Sequence, residues 1–100
     1  MRREQVIAKL KEAEPALRAR GVAALYLFGS HARDEAGPNS DIDVFVDPVA
    51  GEQFGFLPFM DAFEAIRDVI GREIDVGYST REGLDRYVRA NVEREAVRVF

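Results

Sequence analysis

A chain of 100 residues is read as one domain spanning residues 1–100, with no room for a second. Its 47% hydrophobic share is globular, and 32% charged residues suit a solvated surface rather than a disordered tail. Without cysteine there is no disulfide, thiol catalysis or Cys-ligated zinc, and the lone histidine, His31, excludes a zinc site built from several histidines. The formal charge of −4 and a pI near 5.0 argue against a nucleic-acid groove of the usual basic kind. No apolar run approaches the roughly 20 residues that cross a bilayer, so no membrane association is expected. The charged start Met1-Arg2-Arg3-Glu4 does not read as a signal peptide, which makes the cytoplasm the expected location.

From Arg2 to Arg20 the apolar positions Val6, Leu10, Ala13 and Leu17 recur at helical spacing, and Gly21 is a natural stop. Pro15 interrupts this stretch, which predicts a kink or two short helices. Val22–Phe28 reads as a strand covered on both faces. A short helix is expected after Gly29, then a loop around Gly37-Pro38-Asn39. A second strand covers Ile42–Val46, ended by Pro48, and Val49–Pro58 reads as a loop.

Phe59, Phe63, Ile66 and Ile70 predict a helix over Phe59–Ile70, stopped by Gly71. Glu73–Gly77 is a third strand candidate. Ser79-Thr80-Arg81-Glu82 has the form of a capping box opening a last helix through Leu84, Val88, Val92 and Val97. The order α-β-(short α)-β-α-β-α predicts an α/β (α+β) fold, a small mixed sheet with helices packed on it.

The chemistry concentrates in Leu27-Phe28-Gly29-Ser30-His31-Ala32-Arg33 and Ser40-Asp41-Ile42-Asp43-Val44. A strand ending in Gly29-Ser30 offers backbone N–H groups and a hydroxyl to an anion, and Gly29 lets the backbone approach a phosphate closely. Taken alone, this is also what a plain turn looks like. Asp41 and Asp43 lie two apart on a predicted strand, so both carboxylates leave one face while Ile42, Val44 and Val46 take the other. Their Cα atoms are then roughly 7 Å apart, a spacing from which two carboxylates can converge on magnesium. The competing reading of Asp-x-Asp alone is a solvated strand edge. Asp75 is a third carboxylate in an apolar strand, and Glu73 shares its parity and competes for the same role.

Gly29-Ser30, ten intervening residues, and Asp41-Ile42-Asp43 resemble the Gly-Ser-x10-Asp-x-Asp signature of the DNA polymerase β-like nucleotidyltransferases. The wider wording, Leu-Phe-Gly-Ser-x-Ala-Arg with Ser-Asp-Ile-Asp, resembles their minimal single-domain (MNT) branch, antitoxins paired with HEPN-domain toxins. The likeness extends to Asp75 and the closing Glu95-Ala96-Val97-Arg98-Val99-Phe100. It implies that Gly29 and Ser30, with Ser40 beside the aspartates, hold the triphosphate of ATP. It also implies that Asp41 and Asp43 ligate two Mg2+ ions, joined by Asp75, which can accept the attacking hydroxyl's proton. The implied reaction is transfer of AMP to a tyrosine hydroxyl of a HEPN ribonuclease toxin.

Asp34 stands where this motif often carries a glycine. Arg33 reads two ways, toward a phosphate oxygen or in an ion pair with Asp34, Glu35 or Asp41 that braces the loop. His31 reads as an exposed helix residue, Tyr26 and Tyr78 as core or rim, and Arg81, Arg86, Arg89, Arg94 and Arg98 as a solvated helix face able to meet an acidic partner. Two other functions stay open: a stoichiometric binding antitoxin with a vestigial site, and a small-molecule nucleotidyltransferase of the aminoglycoside type.

Overall fold

The computed structural model describes residues 1–100. Of the two expected forms the chain takes two short helices, α1 (Arg3–Lys11) and α2 (Glu14–Ala19), because Pro15 sits in the first turn of α2, where a missing N–H costs no helical bond. Strand β1 (Val22–Phe28) has the expected bounds and leads directly into α3 (Gly29–Ala32). β2 runs Ile42–Pro48, so Pro48 is its last paired residue rather than a residue beyond it, opposite Val22.

Helix α4 (Phe56–Ile70) begins three residues earlier than expected, with Pro58 tolerated in the first turn. Its buried face is Ala62, Ile66 and Ile70, not the Phe59–Phe63 face. Those two rings pack on Tyr78 instead, with centroids 4.6 and 5.3 Å away, and the Tyr78 hydroxyl donates to the Phe59 carbonyl at 2.9 Å.

The third strand, β3 (Val76–Thr80), lies three residues later than the predicted Glu73–Gly77. Parallel pairing with β2 decides this: Ile42 sits opposite Val76 and Val46 opposite Thr80, so the five-residue ladder consumes Ser79 and Thr80. The expected capping box therefore does not form. Helix α5 (Arg86–Glu95) starts later and is capped by Asp85, whose carboxylate accepts from Tyr87 N–H at 2.8 Å. It ends at Glu95, and Val97–Arg98 form a strand, β4, where sequence periodicity continued the helix. β4 pairs antiparallel with β1, Val97 opposite Leu27.

The sheet order is β3-β2-β1-β4, with β1 antiparallel to β2 and β4, and β2 parallel to β3. One face carries the core: Val22, Leu25 and Leu27 of β1 and Ile42, Val44 and Val46 of β2 pack against Val6, Leu10, Leu17, Ile66 and Ile70. A bulge between Val22 and Ala24 reverses the parity of β1, which lets Val22 and Leu25 share a face. Asp43, Phe45 and Asp47 alternate onto the opposite face. There Arg81 lies 4.9 Å over both the Tyr26 and Phe45 rings. It also grips Asp47 with two hydrogen bonds, at 2.9 and 2.8 Å, and Glu93 of α5 with a third. Arg81 is thus a brace between sheet and helix, not part of a solvated helix face, and Arg98 belongs to β4. No helix is long and apolar enough to cross a membrane.

Candidate active site

β1 and β2 carry the two halves of the motif to one end of the sheet. Because the strands are antiparallel, Phe28 at the end of β1 lies opposite Asp43 near the start of β2. The Gly29-Ser30 bend therefore turns directly above the Asp43 carboxylate. Gly29 has φ +75°, and a Cβ there would fall on Asp43 Oδ2. On the other side, a Cβ on Gly77 of β3 would stand 2.5 Å from Asp43 Oδ1. The carboxylate of Asp43 is thus cradled between two glycines. Gly77 was not singled out from the sequence, although a glycine inside a strand marks close approach.

Asp41 and Asp75 precede β2 and β3 rather than lying within them. They are nonetheless neighbours, since Ile42 N–H donates to the Asp75 carbonyl at 3.0 Å and extends the ladder by one residue. Parallel partners point to the same side, so the register continued one residue beyond the ladder sets Asp41 beside Asp75 and gives both the parity of Asp43. Asp41 and Asp75 line a cleft of about 220 Å³ with Pro38, Asn39, Ser40, Glu73 and Ile74. Glu73 shares the cleft but lies two residues further from the Asp43 register. Ser40 Oγ accepts from Gly37 N–H at 2.9 Å, which pins the loop entering β2.

Burial first, then the charge of Asp41, push the Asp43 carboxyl above its ordinary value; Glu95 adds to the rise while His31 and Arg33 oppose it. His31 is buried, only 4% exposed, which corrects the reading of an exposed helix residue. Its Nδ1–H donates to the Asp41 carbonyl at 3.0 Å, tying α3 to the start of β2.

Arg33 is exposed and pairs with Glu95 Oε2 at 2.9 Å and Glu35 at 3.4 Å, so it takes the ion-pair form of its two readings. Its bracing partner is chiefly Glu95, which the sequence left without a role. Asp34 adopts φ 58°, the left-handed conformation for which glycine is the usual residue at this point of the motif.

No three of the acidic or histidine side chains form a ready-made metal cage. The donor set still suits magnesium, which keeps several waters and is bound by one or two carboxylates together with substrate phosphates. Asp43 carries a mutually repelling charge pair with Asp41 that a divalent cation would relieve. The residues present therefore fit that ion.

Comparison with known proteins identifies the family. The model of the nucleotidyltransferase domain family matches residues 4–99. "Putative protein adenylyltransferase MJ0435" of Methanocaldococcus jannaschii is 33% identical over 86 residues, covering 86% of this chain and 88% of that protein. A solved "putative minimal nucleotidyltransferase" superposes with a TM-score of 0.76 at 28% identity, covering 97% of this chain and 95% of that one. A toxin–antitoxin structure with AMP-PNP shares the fold, with a TM-score of 0.69 at 18% identity over 94% of this chain and 72% of that one. With the polymerase β-like sheet, the Gly-Ser bend and the paired aspartates in one register, the chain belongs to the nucleotidyltransferase domain family, in its minimal branch.

Proposed function

We propose that this nucleotidyltransferase transfers AMP from ATP to a tyrosine hydroxyl of a HEPN-type ribonuclease toxin and thereby silences it. The reading is carried by the β2/β3 register, which continued by one residue sets Asp41 beside Asp75 with the parity of Asp43, and by Asp43 backed against the Gly29-Ser30 bend. The likeness to a relative named as a protein adenylyltransferase supports protein as the acceptor, and the fold shared with a toxin–antitoxin pair supports a toxin.

Asp41 and Asp43, with Asp75, would hold two Mg2+ ions. Bound magnesium supplies neutralisation of the phosphate charge and a more acidic acceptor hydroxyl. The Gly29 and Ser30 backbone and the Ser30 hydroxyl bind the triphosphate, and Arg33 and Ser40 border it. Asp75 takes the proton of the acceptor hydroxyl. The hydroxyl oxygen bonds to the α-phosphorus, the bond from that phosphorus to the bridging oxygen breaks, and pyrophosphate departs.

The test combines the protein, its cognate toxin, magnesium and ATP, followed by intact-mass measurement of the toxin. An AMP adduct that vanishes in Asp41→Asn/Asp43→Asn is expected. Full inhibition by that double variant, with no adduct at any time, would overturn the transfer and leave a stoichiometric binding antitoxin. Pyrophosphate release on adding an aminoglycoside alone would instead identify a small-molecule enzyme.

A further inference from the structure

Glu95, in the last turn of α5, places a carboxylate on the donors that the nucleotide reading assigns to phosphate. Oε1 accepts from Gly29 N–H at 3.1 Å, and Oε2 accepts from the Arg33 guanidinium at 2.9 Å. The same side chain therefore meets both a backbone amide and a cation of the Gly-Ser segment, from a position 62 residues along the chain from Arg33. Its charge also reaches Asp43 and helps to raise that carboxyl. Glu95 is part-exposed, with 28% of its side chain open to solvent, and it stands at the C-terminal end of α5. A side chain so placed can rotate out without unfolding the core.

We propose that Glu95 is a displaceable internal anion that competes with the nucleotide's phosphates for Gly29 N–H and Arg33. This rests on the reading of Gly29 and Arg33 as phosphate donors. In the free protein the carboxylate satisfies both donors. When a magnesium-bound triphosphate arrives, its oxygens replace those of Glu95, and Arg33 changes partner from carboxylate to phosphate. Nucleotide affinity is then the difference between two anions on the same donors, not the full strength of either. Glu95 thus weakens uptake of nucleotide and raises specificity for ligands of higher negative charge, since a singly charged anion gains little by exchanging with a carboxylate.

The experiment is titration calorimetry of Mg-ATP into the full chain. It compares wild type, Glu95→Gln, Glu95→Ala and Asp41→Asn/Asp43→Asn, with thermal unfolding of each to confirm the fold. Glu95→Gln keeps an oxygen for Gly29 N–H and removes the negative charge that faces Arg33 and reaches Asp43. It is expected to bind Mg-ATP roughly two- to fivefold tighter, the scale of one part-exposed ion pair. Mg-AMP, with fewer charges, is expected to gain proportionally more. Wild type that binds Mg-ATP, loses it in the double aspartate variant and is exceeded in affinity by neither Glu95 variant would overturn the competition while leaving the nucleotide site standing. Uptake by Glu95→Gln with none by wild type would support it in its strongest form. No uptake by either overturns the nucleotide site, and the competition with it.

Discussion

Asp41 and Asp75 stand side by side across the β2/β3 ladder, joined through the 3.0 Å bond from Ile42 N–H to the Asp75 carbonyl. Neither is inside a strand, yet the parallel register extended by one residue gives them a common face with Asp43. Glu73, of the same parity as Asp75, lies two residues before it and beyond this register. Asp75→Asn is therefore expected to lower AMP transfer by at least the roughly 10–100-fold that perturbing a metal site costs, and Glu73→Gln to stay within about twofold. Single-turnover adduct formation measured for both variants checks this, and equal losses would contradict it.

The second expectation concerns stability against pH. Burial and Asp41 hold the Asp43 carboxyl above 3.8, its value in the unfolded chain, so the folded protein binds that proton more tightly. The resulting stabilisation is complete below 3.8 and is lost as pH rises through the folded value. At neutral pH ionised Asp43 is a net cost to the fold. Asp43→Asn should raise Tm at about pH 7 without magnesium, with the gain shrinking toward about pH 4, and should lack the further rise expected of wild type with Mg-ATP. A lower Tm for the variant at neutral pH would contradict the sign.

Gly77 makes room for Asp43 rather than for a backbone conformation. A methyl group there meets Asp43 Oδ1 at 2.5 Å, so Gly77→Ala must push the carboxylate aside. Overpacking of this kind costs about 1–3 kcal/mol, measurable by urea unfolding. Loss of Mg-ATP binding should exceed the loss of stability, because the displaced group is the aspartate itself. A variant with normal nucleotide affinity would argue that Asp43 tolerates relocation.

Helix α5 provides the fourth expectation. Asp85 caps it through Tyr87 N–H, whereas the Ser79 hydroxyl donates to the Thr80 carbonyl and touches no helix end. Asp85→Ala should cost about 1 kcal/mol in denaturant unfolding, and Ser79→Ala about 0.5 kcal/mol or less. The reverse ranking would restore the capping box suggested by the sequence.

Local patterning carried β1, α1, α2 and the Gly-Ser bend, because each is specified by near neighbours: an apolar run, helical spacing, a proline in a first turn, a glycine at positive φ. It failed where a partner from elsewhere decided. β3 moved three residues on because β2 selects its register. Ser79 and Thr80 were claimed by that ladder instead of by a helix end. Val97 and Arg98 became a strand because β1 had an open edge beside them, and no periodicity within the last helix could announce that. Phe59 and Phe63 fit a helical core stripe, yet Tyr78 drew them to the flank.

The candidate site divides in the same way. Composition and spacing alone determined that this chain has no thiol or multi-histidine metal chemistry, and that Asp41 and Asp43 can face one way. Those properties follow from residue types and from the two-residue period of an extended backbone. Only the tertiary structure decided that the Asp75 backbone lies beside Asp41, that Gly77 admits Asp43, that His31 is buried against the Asp41 carbonyl, and that Glu95 holds Gly29 and Arg33. Each of these joins segments from 10 to 66 residues apart, or different strands, and such contacts are set by strand register and helix docking, which no local spacing encodes.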